Sequence, residues 1–157
     1  MATFYAELPT KRMGAGIFLS DASGRVLLVR PTYKPTWEIP GGIVEVDESP
    51  RDCVARELVE ELGIPLRVGR LLCIDWVAAD APKTEGLMLI YDGGLIADQI
   101  AATIRLPADE LSEYRFVGLE GSSGLISDRM ARRLQASAAA QHNGTVAELE
   151  DGYLVAP

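Results

Sequence analysis

Three glutamates, Glu57, Glu60 and Glu61, lie close together in a segment that the sequence predicts to be helical. An α-helix has about 3.6 residues per turn, so these carboxylates share one side, where like charges repel each other. They also lie toward the C-terminal end of the predicted helix, where the helix dipole disfavours anions. A divalent cation would reverse this balance, because Mg²⁺ prefers carboxylate and carbonyl oxygens. The glutamates are therefore candidate metal ligands, against the alternative of a solvated acidic helix face.

The helix that would hold these carboxylates is predicted over residues 50–62. Ser49 suits the N-cap, Pro50 suits the first helical position, and Asp52 can close a capping box with Ser49. Gly63 is a typical C-terminal stop. Apolar residues at helical spacing predict its buried face, formed by Val54, Ala55, Leu58, Val59 and Leu62.

The wider segment, GGIVEVDESPRDCVARELVEELGI, covers residues 41–64. It resembles the Nudix box, G-x5-E-x7-R-E-U-x-E-E-x-G-U, in which U is a bulky aliphatic residue. Gly42 opens the box, Glu48 and Arg56 follow at the required spacing, and Ile64 closes it. Every specified position matches. The preceding segments RVLLVR and WEIPGG also resemble the approach strands of this family.

The resemblance implies an α/β fold, a Nudix-type α/β/α sandwich with a mixed β-sheet. It implies a metal-dependent hydrolase that cleaves a diphosphate bond in a small nucleoside diphosphate-X substrate, with Mg²⁺ or Mn²⁺ as cofactor. Carried over position by position, Glu57, Glu60 and Glu61 would be the metal carboxylates, and the carbonyl of Gly41 would be a further ligand. Glu57 is the first choice for the general base, and Glu61 would also be needed for catalysis.

Two further pairs of residues would support this site. Arg56 and Glu48 are expected to form an ion pair that fixes the loop against the helix. Gly42, together with Gly41, would let the backbone turn tightly and approach the ion.

The remaining roles are less determined by the sequence. Some family members take the base from a later loop, and here the candidates are Glu110, Glu113 and Glu120, with Glu113 preferred. Arg30 and Tyr33 are the candidate substrate contacts, through a phosphate and a base respectively. The alternative for each of these residues is an ordinary surface or packing role.

Strands and a second helix must surround this segment. Residues 13–20 and 25–30 are predicted to form a hairpin, and residues 66–77 and 86–96 two further strands. A helical turn is predicted over residues 108–114, a strand over 115–119 and a helix over 125–140. Asp151-Gly152 predicts a hairpin turn between TVAELE and YLVA.

The bulk composition limits the partners. The chain has 157 residues, which predicts one domain over 1–157, and its net charge is -8. A protein this acidic is a poor partner for long nucleic acid or anionic membranes, whereas a small phosphorylated nucleotide stays compatible through a bound metal. Cys53 and Cys73 are expected to be separate thiols, and no secretory signal or transmembrane stretch is visible, so a cytoplasmic location is predicted. The resemblance leaves homodimer formation open.

Two alternatives from other classes remain. A Nudix-fold module could sense a nucleotide without cleaving it, although such a sensor does not need all three box carboxylates. An isopentenyl diphosphate isomerase shares the fold, but it would need a reactive cysteine, and Cys53 and Cys73 lie on a helix and a predicted strand. A Ser-His-Asp or Cys-His set would depend on the single histidine, His142, in a polar stretch that is expected to be a loop.

Overall fold

The computed structural model describes residues 2–156, and a mixed β-sheet of eight strands lies at the centre of that part of the chain. The strands are β1 (Arg12–Ser20), β2 (Val26–Pro31), β3 (Gly41–Ile43), β4 (Leu71–Val77), β5 (Gly86–Leu95), β6 (Leu111–Val117), β7 (Ala147–Glu150) and β8 (Tyr153–Leu154). Their order is β6-β2-β1-β5-β4-β7-β8, and β3 pairs with β1 beside this path. The β1–β5 and β4–β7 pairs are parallel, and the other pairs are antiparallel.

Helices cover both faces of the sheet. Strand side chains alternate between the two faces, so one strand contributes to the core on each side. The α-helices are α1 (Ala2–Ala6), α2 (Pro50–Glu57), α3 (Asp98–Ala101) and α4 (Asp128–Asn143). In β1, Ile17 and Leu19 pack into the core beneath α2, whereas Phe18 packs into the core beneath α4. The predicted α/β/α sandwich with a mixed sheet is therefore confirmed.

The box helix begins as predicted but changes its form before it ends. The Ser49 hydroxyl accepts a hydrogen bond from the Asp52 N–H at 3.1 Å, and Gly63 ends the helical stretch with a φ of 70°. Residues Leu58–Leu62 form a π-helical turn that directly follows α2. The predicted α-helix over 50–62 is thus wrong in its last turn. The predicted buried face is also wrong at two positions, because Ala55 is exposed and Val59 is 54% exposed, whereas Cys53 is in the core.

Two other predictions need correction. The helical turn predicted over 108–114 is present only over residues 108–110, where the Leu111 N–H donates to the Pro107 carbonyl at 2.9 Å. Strand β6 runs from Leu111 to Val117, so it begins earlier than predicted. The reason is its antiparallel ladder with β2, which extends from Val26 opposite Val117 to Pro31 opposite Leu111. His142 lies exposed in the last turn of α4 and not in a loop.

The strand predicted over 66–77 begins only at Leu71, and the helix predicted over 125–140 runs from Asp128 to Asn143. Glu150 pairs with Tyr153 across the predicted Asp151-Gly152 turn, whose φ angles are 50° and 83°. Cys53 and Cys73 are both buried free thiols, as predicted. Among the described helices, none is long and apolar enough to cross a membrane.

Candidate metal and catalytic site

The glycine pair at the start of β3 brings the box loop against both β1 and α2. Gly41 has a φ of 153°, and a Cβ on it would lie 2.2 Å from the Ala15 carbonyl oxygen. A Cβ on Gly42 would lie 2.1 Å from Oε1 of Glu57. These distances are shorter than any real carbon contact, so the carboxylate of Glu57 lies directly over the Gly42 backbone and a side chain there would displace it.

Arg56 links the loop and the helix through several carboxylates. Its Nε donates to Oε1 of Glu48 at 2.7 Å, and its Nη2 donates to Oε2 of Glu48 at 3.0 Å. Its Nη1 donates to Oε1 of Glu57 at 2.8 Å and to Oε2 of Glu60 at 3.1 Å. Hydrogen bonds from Arg56 lower the pKa of Glu48 to about 2. The structure thus brings Glu48 and Arg56 together as a bidentate pair.

Glu61 is the carboxylate whose ionisation is most strongly disfavoured in the box. Burial raises its pKa to about 8, and the neighbouring charges of Glu57, Glu38 and Glu110 also raise it. The N–H of Gly41 opposes this effect by donating to Oε2 of Glu61 at 3.0 Å. Burial likewise raises the pKa of Glu57. The site therefore concentrates negative charge that no nearby cation fully compensates.

The donor chemistry of this site fits a hard divalent cation, although the side chains are turned toward protein partners. Within residues 2–156, no three or more His, Cys, Asp or Glu side chains are arranged as they stand to hold a metal ion. The reason is that Arg56 holds Glu57 and Glu60, while the Gly41 N–H holds Glu61. The Glu60 side chain is 55% exposed. The carboxylate oxygens and the uncompensated charge are what Mg²⁺ or Mn²⁺ requires.

The later glutamates that are candidate bases have different surroundings. Glu113 lies in β6, where it is opposite Arg30 in the ladder with β2 and where Arg115 donates to its Oε1 at 2.7 Å. The charge of Glu110 is among the causes that raise the pKa of both Glu57 and Glu61. The preference for Glu113 as the base from a later loop stays a prediction.

The two candidate substrate contacts lie outside the cleft that adjoins the glycine pair. Arg30 is half-exposed and lies 4.0 Å from Glu113, and Tyr33 is 75% exposed. The cleft has a volume of about 160 Å³ and is lined by Gly14, Glu38, Ile39, Gly41, Gly42, Ile43, Met88, Met130 and Arg133.

Sequence reasoning missed most of this lining. Met130 and Arg133 are one turn apart on α4, and Met88 lies on β5, so no local motif links them to the box. Glu38 could have been identified from the sequence, because it lies three residues before Gly41 in the approach segment.

The family follows from the chain as a whole. The model of the NUDIX domain matches residues 10–133. This match covers well over half of the chain and includes both the sheet centre and the complete box. The chain therefore belongs to the NUDIX domain family.

Individual relatives share parts of the sequence. An RNA pyrophosphohydrolase of Gluconacetobacter diazotrophicus is 36% identical over 86 residues, which cover 49% of this chain and 51% of the relative. The diphosphoinositol polyphosphate phosphohydrolase 2 of Rattus norvegicus is 43% identical over 73 residues, which cover 46% and 41% of the two chains. The chain thus spans about half the length of these curated relatives or less.

The fold is shared over a greater length. The crystal structure of a MutT NUDIX hydrolase from Burkholderia pseudomallei superimposes with a TM-score of 0.68 and 25% identity. The superposition covers 82% of this chain and 98% of that chain.

Proposed function

We propose that this protein hydrolyses a diphosphate bond in a small nucleoside diphosphate-X substrate with the help of Mg²⁺ or Mn²⁺. The observation that carries the proposal is the carboxylate set of Glu57, Glu60 and Glu61, of which Glu57 and Glu61 are partly buried against the Gly41-Gly42 turn. Two relatives support the reaction class, since one is named an RNA pyrophosphohydrolase and the other a diphosphoinositol polyphosphate phosphohydrolase. Their different substrates leave the X group to be found by experiment.

In this proposal the metal is held by Glu57, Glu60, Glu61 and the carbonyl of Gly41. A bound divalent ion would neutralise charge on the diphosphate and activate an attacking water. Gly42 supports the site because it leaves room for the Glu57 carboxylate.

Proton transfer is assigned to the carboxylates of this chain. Glu57 in its ionised form accepts the proton of the attacking water, and Arg56 orients it through the 2.8 Å hydrogen bond to Oε1. Glu48 holds Arg56 in place from the other side. Glu113 stays the alternative base, and Glu110, whose charge helps to raise the pKa of Glu57 and Glu61, is a second candidate.

The test is a hydrolysis panel with Mg²⁺ that contains nucleoside triphosphates, oxidised triphosphates, nucleotide sugars, ADP-ribose and dinucleoside polyphosphates. Glu61→Gln is expected to lower turnover at least roughly 100-fold, since it removes a metal carboxylate. Glu148→Gln is the matched control, because it makes the same change at an exposed position in β7. Removal of metal should abolish turnover of the same substrate.

The sensor alternative predicts a different result in the same panel, namely nucleotide binding without turnover of any member. The hydrogen bonds from Arg56 to Glu57 and Glu60 are the observation that keeps this alternative open. The isomerase alternative is disfavoured, because burial raises the pKa of both Cys53 and Cys73 to about 11, so neither thiol ionises readily.

We also propose that residues 1–157 act as one domain in the cytoplasm. The chain length and the two free thiols support these statements. Homodimer formation stays a prediction from the family resemblance.

A further inference from the structure

The cleft beside the glycine pair continues into a second cavity with basic walls. This second cavity has a volume of about 270 Å³. It shares Gly14, Glu38, Ile43, Met88 and Arg133 with the first cleft, so the two form one continuous depression. Its four cationic side chains come from three separate places in the sequence and are named here the basic end: Arg12, Lys83, Arg129 and Arg133.

Arg133 is fixed in this cavity by a buried partner. Its Nε donates to Oδ2 of Asp75 at 2.6 Å, and Asp75 is fully buried. The other oxygen of Asp75 accepts the Gly152 N–H at 2.9 Å, which fixes the carboxylate as well. The Arg133 side chain is only 11% exposed, and its terminal nitrogens form no hydrogen bond within residues 2–156. The guanidinium is thus held in place with donors left for a ligand.

The other cations of the basic end are weakly neutralised. Arg12 donates its Nε to the Thr84 carbonyl and hydroxyl at 3.0 Å, so its described partners are neutral. Lys83 forms no ion pair within the described part of the chain. Arg129 lies one turn before Arg133 on α4 and meets a carboxylate only at 3.5 Å, that of Asp151.

This local concentration of positive charge contrasts with the whole protein, whose net charge is -8. Four cations around one cavity repel each other, and an anion bound among them offsets this unfavourable electrostatic free energy. Glu38 lies in the wall that both cavities share. The first cleft is named here the acidic end, because Gly41 in its wall is hydrogen-bonded to Glu61, whose pKa the Glu38 charge helps to raise. Met88 and Met130 lie in the apolar part of the wall, where a ring or sugar can pack.

We propose that the basic end is a second phosphate subsite, so that the substrate class is a diphosphate whose X or nucleoside part carries a further phosphate monoester. The inference rests on the proposed function for the position of the scissile diphosphate at the acidic end. Arginine forks suit a phosphate monoester, because they offer paired donors to its oxygens. Arg133 is then a specificity residue that binds the remote phosphate, and Asp75 is the residue that positions it.

The first experiment titrates 5′-AMP and, separately, adenosine into the metal-free protein and follows amide NMR signals. Without metal the acidic end repels phosphate, so AMP is expected to shift the signals of Lys83, Gly86 and Arg129 and to leave those of Gly41 and Gly42 in place. Adenosine should shift none of them. Equal shifts with adenosine, or no shift at these positions with AMP, would overturn the proposal.

Variants then assign the binding to the basic end. Lys83→Gln with Arg129→Gln is expected to weaken AMP binding at least fivefold, whereas Arg67→Gln, an exposed arginine outside the depression, should change it less than twofold. Arg133→Gln alone would leave the buried Asp75 unpaired and could unfold the protein. The double change Asp75→Asn and Arg133→Gln removes both charges together and should weaken binding by a similar factor. Unchanged affinity in both double variants would contradict the proposal.

The last measurement separates this subsite from the diphosphate site. AMP is titrated again after saturation with Mg²⁺ and methylenediphosphonate, and the shifts at Lys83 and Gly86 should persist. Loss of these shifts would mean that both ligands compete for one site, which overturns the inference. Failure of methylenediphosphonate to shift Gly41 and Gly42 would count against the proposed function alone, because AMP binding in metal-free buffer does not depend on it.

Discussion

At the residue scale, the Glu57 carboxylate occupies the space beside the Gly42 backbone. The space that a Cβ would need on Gly42 is taken by the carboxylate itself, with Oε1 at 2.1 Å. Arg56 holds that oxygen from the other side at 2.8 Å. The position of Glu57 is therefore fixed from two directions, by a hydrogen bond and by the absence of a side chain.

Gly42→Ala is expected to reduce kcat/KM at least roughly 30-fold, because the new methyl group displaces Glu57 from its place beside the turn. Stability should fall by no more than about 1–2 kcal/mol, since Glu57 is a side chain that can move. Steady-state kinetics and thermal unfolding measure the two effects. Gly118→Ala is the control, because a Cβ there meets no atom within 4 Å. Wild-type activity in Gly42→Ala would contradict the assigned contact.

The free energy of unfolding of the metal-free protein is expected to depend on pH because of Glu61. Its pKa in the fold is about 8, above the ordinary value of 4.5, because burial disfavours the charged form. The neutral carboxyl therefore stabilises the fold fully below about pH 4.5, and this contribution is lost as the pH rises toward 8. The free energy of unfolding should fall by on the order of 2 kcal/mol over this window, after allowance for solvent screening.

Denaturant titrations at pH 5 and pH 8 in EDTA check this expectation. Glu61→Gln should flatten the pH dependence, because the amide does not titrate, whereas Glu148→Gln should retain it. A slope that is identical in wild type and Glu61→Gln would show that another group is responsible.

At the element scale, the box helix combines a well-formed start with an irregular end. Ser49 caps α2, and the π-helical turn Leu58–Leu62 follows directly. Leu58 and Leu62 lie in the core, whereas Glu61 accepts a hydrogen bond from Gly41 and Glu60 accepts one from Arg56. Irregular π-turns are often found at functional sites, and this one carries two of the three candidate metal carboxylates.

Ser49→Ala is expected to lower the free energy of unfolding by about 1 kcal/mol, because the Asp52 N–H loses its hydrogen-bond acceptor. Activity per folded molecule should stay within about twofold, since the cap is remote from Glu57 and Glu61. Chemical denaturation together with the hydrolysis assay measures both. Ser23→Ala is a suitable comparison, because that serine is exposed and only its backbone N–H is hydrogen-bonded to Asp21. Equal stability of the two variants would argue against the cap.

At the scale of the whole molecule, two cores on opposite faces of one sheet hold the candidate site together. The core beneath α2 supports the carboxylates, and the core beneath α4 supports the cleft. Strands β1 and β5 contribute to both cores and pair in parallel along their length. The acidic and basic ends of the depression are therefore fixed relative to each other by the sheet.

Mg²⁺ is expected to raise the thermal midpoint of the whole protein, because a cation bound only by the folded site shifts the unfolding equilibrium. At a free concentration of about 100 times its Kd the stabilisation is about 2.7 kcal/mol. Differential scanning calorimetry in EDTA and in MgCl₂, with KCl at matched ionic strength, measures the effect. Glu60→Gln combined with Glu61→Gln should lose it, and an equal rise in that variant would show that Mg²⁺ acts elsewhere.

The sequence by itself determined those features of this protein that depend on residues close together in the chain. The helix start at Ser49, the order of Arg56 and Glu57 after Glu48, and the family all follow from residue types at fixed spacing. Helix geometry and capping depend on neighbours within a few residues, so such patterns can be interpreted without the fold.

Only the tertiary structure decided which distant residues meet the box. The charge of Glu110 helps to raise the pKa of Glu57 and Glu61, and the ladder between β2 and β6 places Glu113 opposite Arg30. The basic end likewise forms from β1, the β4–β5 loop and α4, which strand order brings to one cavity. Strand pairing and cleft lining depend on contacts between residues far apart in the chain, and a single sequence contains no periodicity that records them.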